Sequence, residues 1–291
     1  MKPGPRLISN IILDAIEIDA RPNSLEKVIV DIIENNNAWD LNPIEKAHEW
    51  RDQISSILKN EYNRCIEQGR QPRFAFNSSS EYKIQGACFI EPIDSDDVKA
   101  QKSRRLWWKK YYTALRNIDS YHFERLSTKI LNLIGVQKPK LTPYSSDQGI
   151  DFYGRISFGD LIGHGPIFPV FESDLVVWMI GQAKHYIKSK VATPDIRELV
   201  GSAELGKSKT FAKSGLYSDL NIRVCDPVIM LFFSTGEISA DGWELCRRAG
   251  VVAMDGEMLA NFLADKSIAI VEKDGAKEFE SRLFEEWLFR E

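Results

Sequence analysis

One stretch limits the possible folds more than any other. Residues 175–180 read Leu-Val-Val-Trp-Met-Ile without a polar interruption, and the chain continues Gly181-Gln182-Ala183-Lys184. A strand with one wet face alternates apolar and polar residues, whereas one that is apolar at every position is covered on both faces. A doubly covered strand needs helices above and below its sheet, so an α/β core follows. The run "PVIMLFFS" at 227–234 makes the same demand. Side chains alternate along a strand, so an extended 175–184 sets Gln182 and Lys184 on one face at its C-terminal end. Sites in α/β sheets gather at such ends.

The neighbouring patterns complete a mixed sheet flanked by helices. A strand is predicted around 149–157, and a helix from Thr193-Pro194 to about Gly206 with Thr193 as its cap. A helix over "SADGWELCRRAG" is stopped by Gly250, "VVAM" is a short strand, and "DGEMLANFLAD" is a helix capped by Asp255. "RRLWWKKYYTALRNI" and "SYHFERLSTKILNLIG" read as two further helices, the second closed by Gly135. "AKEFESRLFEEWLFRE" reads as a final amphipathic helix.

The first hundred residues differ in character. Leu25, Val28, Ile29, Ile32 and Ile33 fall at helical spacing behind Asn23 and Glu26, a capping pair. A longer helix starts at Asn42-Pro43 and ends near Gly69. "RFAFN" and "YKIQGACFIE" read as strands around a Ser-rich turn, and the polar "EPIDSDDVKAQKS" as a linker. The expected organisation is a smaller α+β N-terminal domain over 1–103, with a sensing, partner-binding or oligomerisation role, and an α/β domain with a C-terminal helix over 104–291.

Composition removes several classes. No apolar run approaches the roughly 18 residues a membrane span needs, and acidic residues break the N-terminal apolar stretch, so neither a span nor a signal peptide is expected. Cys65, Cys88, Cys225 and Cys246 stand far apart, with no CxxC pair. That spacing argues for a reducing, cytoplasmic setting and against a disulfide scaffold or a zinc site. A net charge of −4 leaves room only for a local nucleic-acid-binding surface.

Two acids accompany the Gln-x-Lys pair. Asp151 stands between Ile150 and Phe152, which point to the opposite face of a strand, so it projects alone. Glu124 lies in the first turn of its helix, at the edge of the stripe Phe123, Leu126, Ile130 and Leu133. A carboxylate there is costly unless it is paired or holds a cation. Together these groups suit phosphodiester hydrolysis. Asp151 and Glu124 supply hard oxygens for Mg²⁺, and position 182 adds an amide or backbone carbonyl oxygen. The metal acidifies a water, and Lys184 orients that water or stabilises the developing charge. Taken singly, each residue has a plainer reading: a solvated strand edge for Gln182 and Lys184, a turn residue for Asp151, a helix-dipole partner for Glu124.

Five stretches bring these residues into a known order: "FERL" (123–126), "DQGID" (147–151), "GQAKHY" (181–186), "IRELVGS" (196–202) and "STGEISADGWELCRRAGVVAMDGEMLANFL" (234–263). Over about 118–265 the chain resembles the Mrr-like restriction endonucleases of the PD-(D/E)XK nuclease superfamily. The resemblance implies a restriction-endonuclease-like mixed β-sheet flanked by helices and a DNA endonuclease dependent on Mg²⁺ (or Mn²⁺). It implies metal ligands at Glu124, Asp151 and Gln182, with Lys184 completing the catalytic set; glutamine at 182 is typical of this branch. It also implies a homodimer or higher oligomer acting in bacterial defence against foreign DNA, with other defence-system proteins as partners. One departure is the long gap between Asp151 and Gln182, where 157–174 reads as an insertion beside the site.

Several other features carry weaker signals. His185, Tyr186 and Lys188 follow the Gln-x-Lys pair within reach of a phosphate, and His185 reads equally as a surface residue. Lys109 and Lys110 lie in "KAQKSRRLWWKKYY", which mixes cations and aromatics as a nucleic-acid surface does. The preferred reading there is a helix whose Trp107, Trp108, Tyr111 and Tyr112 pack between domains while its cations stay solvated. "GSAELGKS" (Gly201–Ser208) matches the phosphate-binding loop of ATPases. That motif needs a strand before it, whereas the preceding residues are helical in pattern.

Overall fold

The computed structural model describes residues 3–36, 39–142, 149–157, 175–208, 219–273 and 275–290. It divides into two compact units, Met1–Trp108 and Lys109–Glu291. The first unit packs the helices Pro5–Ala15, Leu25–Glu34 and Pro43–Glu67 with a three-stranded antiparallel sheet. That sheet has β1 (Asn23–Ser24), β2 (Phe74–Asn77) and β3 (Ser80–Gly86) in the order β1-β3-β2. Its core is the sum of the apolar stripes: Ile8 and Ile12, then Leu25, Ile29 and Ile33, then Ile54 and Leu58, closing on Phe74 and Ile84.

Local details of this unit depart from the sequence pattern. Ser24, not Asn23, caps the second helix, and the Asn23 side chain accepts from the Ser24 amide at 3.0 Å. β3 stops at Gly86, where a Cβ would run into the Ile18 carbonyl. The expected linker contains a helix, Asp96–Arg105. It buries no residue, so apolar periodicity could not announce it. Instead Ser95 caps it, Asp96 and Asp97 occupy its first turn, and Lys102, Arg104 and Arg105 its last, a charge order that suits the helix dipole. Just upstream, buried Glu91 accepts from the Gln85 amide at 2.6 Å, the Ser78 backbone at 3.1 Å and Asn77 at 3.2 Å, and also from the Ser78 hydroxyl.

The second unit is built on a five-stranded mixed sheet in sequential order β4-β5-β6-β7-β8. Its strands are β4 (Gln137–Leu141), β5 (Phe152–Ser157), β6 (Val176–Lys184), β7 (Val228–Ser234) and β8 (Val251–Met254). β5 pairs antiparallel with β4 on one side and β6 on the other, while β6, β7 and β8 run parallel. Helix Ser120–Leu133 packs against β4, β5 and β6. Helices Thr193–Lys207 and Ala240–Ala249 pack with Phe232, Val251 and Ala253 through Ile196, Leu199, Trp243 and Cys246. The strand that looked buried on both faces is so: Val177 through Ala183 have almost no exposure.

Phe152 pairs with Gly181 across β5 and β6. The Phe152 ring fills the space a side chain at 181 would need, and stacks on Phe233 with centroids 5.2 Å apart. β4 was not foreseen, because "QKPKL" is polar and contains a proline. It is an edge strand, where a missing amide is tolerated.

Two more expectations are corrected. Thr193 is the first residue of its helix, not the cap; Ala192 is the cap, and its amide donates to Asp195 Oδ2 at 2.9 Å. The final segment is not one helix, because Ala276–Phe279 pairs with Ile270–Lys273 as a hairpin before helix Ser281–Phe289. As its helical pattern implied, the phosphate-loop match falls on helix Thr193–Lys207 and its C-cap Ser208, not between a strand and a helix. Of the stretch read above as an insertion, 157–174, residue 157 ends β5 and 158–174 lie outside the described residues. No described helix is long and apolar enough to cross a membrane.

Candidate active site

Strand alternation and register bring the site together. With Phe152 opposite Gly181 and Tyr153 opposite Ile180, the face carrying Tyr153 and Ile180 also carries Asp151, Gln182 and Lys184. Asp151 lies one residue before β5, yet its backbone continues the ladder, donating to the Gly181 carbonyl at 2.9 Å. Its side chain does not simply project from the face. Asp151 Oδ2 accepts from the Ala183 backbone N–H at 2.7 Å, so the carboxylate binds the backbone between Gln182 and Lys184.

Gln182 is buried, and its Oε1 meets no donor among the described protein atoms. An amide oxygen in that state is costly unless a ligand completes it. Lys184 Nζ donates to Glu198 Oε2 on helix Thr193–Lys207 at 3.1 Å.

Glu124 arrives from the helix Ser120–Leu133, whose first turn is capped by Asp119 Oδ1 accepting from the His122 amide at 2.8 Å. Its neighbours hold it on both sides. Phe123 is buried in the core, and Arg125 donates to the Leu288 and Phe289 carbonyls at 3.1 and 2.8 Å. Half-burial pushes the Glu124 carboxyl up to about 7, the charge on Asp151 adds to that shift, and the charge on Lys184 opposes it. Glu124 therefore shares an electrostatic environment with both residues.

Among the described residues, no group of three or more His, Cys, Asp or Glu side chains is arranged to hold a metal ion. The donor set here is two carboxylates and one buried amide oxygen. The charge on Asp151 raises the cost of the Glu124 carboxylate, and the Gln182 amide, on the Asp151 face of the sheet, has an oxygen without a donor among the described atoms; hard oxygens of these kinds fit a divalent cation of the Mg²⁺ type.

A family model described as a restriction endonuclease, Mrr_cat, matches residues 115–219. This stretch is an Mrr-type restriction endonuclease domain. The match includes Glu124, Asp151, Gln182, Lys184 and Glu198, and ends before the 234–263 stretch. Three solved structures are similar in part. They are MspJI restriction endonuclease in complex with a 27-mer oligonucleotide (19% identity, TM-score 0.35, 62% of this chain and 36% of that one), the DNA modification-dependent restriction endonuclease AspBHI (12%, 0.40, 73% and 46%), and restriction endonuclease FokI bound to DNA (12%, 0.34, 90% and 45%). The chain thus spans less than half the length of each. The comparison with curated proteins finds no match.

The remaining expected contact residues differ in how they are held. His185 is half-buried, its ring 6.0 Å edge-on from Phe123, and its Nε2 meets no hydrogen-bond partner among the described residues. Tyr186 is committed elsewhere: its hydroxyl donates to Asp195 Oδ1 at 2.9 Å, its backbone exchanges hydrogen bonds with the Thr235 hydroxyl, and burial pushes its phenol up to about 12. Lys188, Lys109 and Lys110 are exposed. Of the aromatics beside those cations, Tyr111 is buried and donates its hydroxyl to the Ile268 carbonyl. Glu198 was not singled out from the sequence, although it lies in "IRELVGS". The available signal was its helical spacing to Ser202, which sets both side chains on one face.

Proposed function

We propose that this chain is a divalent-metal-dependent endonuclease that hydrolyses phosphodiester bonds of DNA. The observation carrying this reading is the coupling of Glu124 to both Asp151 and Lys184, inside a restriction endonuclease domain. Glu124, Asp151 and the Gln182 amide oxygen would hold Mg²⁺ or Mn²⁺. When bound, the ion supplies charge neutralisation at the phosphate and an acidified water. Asp151 has one carboxylate oxygen held by the Ala183 amide, which fixes the orientation of the group. Lys184 contributes a positive charge toward the phosphorane-like transition state and a donor that orients the attacking water. Water oxygen bonds to phosphorus, one P–O ester bond breaks, and the departing oxygen takes a proton.

Exposed Lys109, Lys110 and Lys188, with His185, would contact the DNA backbone. Tyr186 is left out of this interface because its hydroxyl is already engaged. The reading extends to a homodimer, in which two sites meet two strands, and to a role in bacterial defence with partner proteins. The N-terminal residues 1–103 would carry sensing or assembly. Gly201–Ser208 gives no support to ATP hydrolysis, since helix geometry closes off the loop that would cradle a phosphate.

Purified protein with Mg²⁺ or Mn²⁺ should cleave plasmid DNA, and Lys184→Ala should abolish cleavage with the melting temperature unchanged. Equal activity of the two proteins, or activity persisting in EDTA, would overturn the assignment. Parallel reactions on double-stranded DNA, single-stranded DNA and RNA define the substrate.

A further inference from the structure

Lys184 does not end its strand alone. Its partner Glu198 lies on the next helix, and the two side chains remain 25% and 40% exposed. A pair this wet contributes little to fold stability, so its geometry calls for a different account. The stem of Glu198 is confined. Gly149, at φ +70°, lies directly beneath it; a Cβ there would be 3.2 Å from Glu198 Cγ and would collide with Ser202 Oγ one turn on. Only glycine occupies that backbone region without strain while letting the helix approach. Two residues after Gly149 comes Asp151. The helix itself is anchored by Ile196, Leu199 and Ala203, all without exposure. A single glutamate therefore packs on the turn that delivers Asp151 and hydrogen-bonds the lysine on the neighbouring strand.

We infer that Glu198 is the positioning residue for Lys184, holding its ammonium on the face that Asp151 shares. The inference rests on the nuclease reading above; Glu198 acts through the lysine and does not touch substrate. A free lysine side chain samples many rotamers, whereas one held by a fixed carboxylate is preoriented. Loss of the carboxylate slows the chemical step and leaves DNA and metal binding intact.

The test uses the full chain, supercoiled plasmid and Mg²⁺, with the near-isosteric Glu198→Gln. The expected result is a kcat about tenfold lower or worse, with KM, the melting temperature and calorimetric Mg²⁺ affinity unchanged. Under enzyme excess, where residual rates are measurable, Glu198→Gln should cause no further loss in a Lys184→Ala background. Full activity of Glu198→Gln beside an active wild type overturns this inference alone. So does a loss that persists undiminished without Lys184, or a loss of Mg²⁺ affinity. A wild type that cleaves nothing overturns the nuclease reading, and this inference with it.

Discussion

The carboxylate of Asp151 accepts the backbone N–H of Ala183 at 2.7 Å, and Ala183 is the residue between Gln182 and Lys184. One oxygen of Asp151 thus does the work of a strand carbonyl. Two substitutions separate this structural part from the charge. Asp151→Asn keeps an acceptor oxygen, so thermal unfolding should move by about 1 kcal/mol or less. Calorimetric Mg²⁺ affinity should fall at least about tenfold, because ligand charge sets affinity. Asp151→Ala also strands the Ala183 amide and should cost about 1–3 kcal/mol. Identical melting curves for the two variants would refute the structural part.

Glu124 makes a pH-dependent contribution of definite sign. Its carboxyl titrates near 7 in the folded protein against an ordinary value of 4.5, so the folded state binds the proton more tightly. The associated stability is complete below about pH 4.5 and is lost as pH rises through about 7. Metal-free wild type should therefore lose a few °C of melting temperature between about pH 5 and 8 relative to Glu124→Gln. Parallel melting curves of the two proteins across that range would contradict this.

Glu91, in the first unit, behaves oppositely. Burial alone would raise its carboxyl, but the hydrogen bonds from Ser78 and Gln85 and the charge on Lys102 outweigh burial and hold it below the usual range. Its contribution is present above the ordinary carboxylate range and disappears as pH falls through the depressed value. Glu91→Gln places an NH₂ against donors and should destabilise the unit by about 1–3 kcal/mol at pH 7. That difference should shrink in acid, as read by denaturant melts at pH 7 and pH 3.

Gly181 admits no side chain. In Gly181→Ala the new methyl group meets the Phe152 ring, and overpacking of this kind costs about 1–3 kcal/mol or more. Phe152→Leu in the same chain should recover part of that loss, since the two positions share one space. Additive losses in the double variant would exclude the contact.

Much of the second unit was legible because β6 and β7 are largely apolar and its helices carry plain signals: Asp255 caps, and Gly250, at φ 69°, terminates. Alternation alone set Gln182 and Lys184 on one face. Other features were illegible for definable reasons. The bond from Ala183 to Asp151 and the ion pair from Lys184 to Glu198 join segments 32 and 14 residues apart, and no periodicity encodes tertiary partners. β4 hides behind a proline and two lysines at a sheet edge. Helix Asp96–Arg105 has no apolar stripe, so only its cap and charge order could have marked it. The final hairpin was lost because Phe279 and Phe284 happen to continue one amphipathic pattern across a strand and a helix.

The Phe152 ring over Gly181 also has a consequence for error. Sliding β5 along β6 by two residues would keep every side chain on its proper face, so face burial alone does not forbid it. Such a slip would drive Phe152 against a residue with a side chain and carry Asp151 away from Ala183. The only vacancy in β6 that accepts the ring is at 181. The aromatic–glycine match therefore works as a proofreading mark in assembly: a chain that pairs these strands wrongly cannot close its core, and one that closes its core has already aligned Asp151 with Gln182 and Lys184.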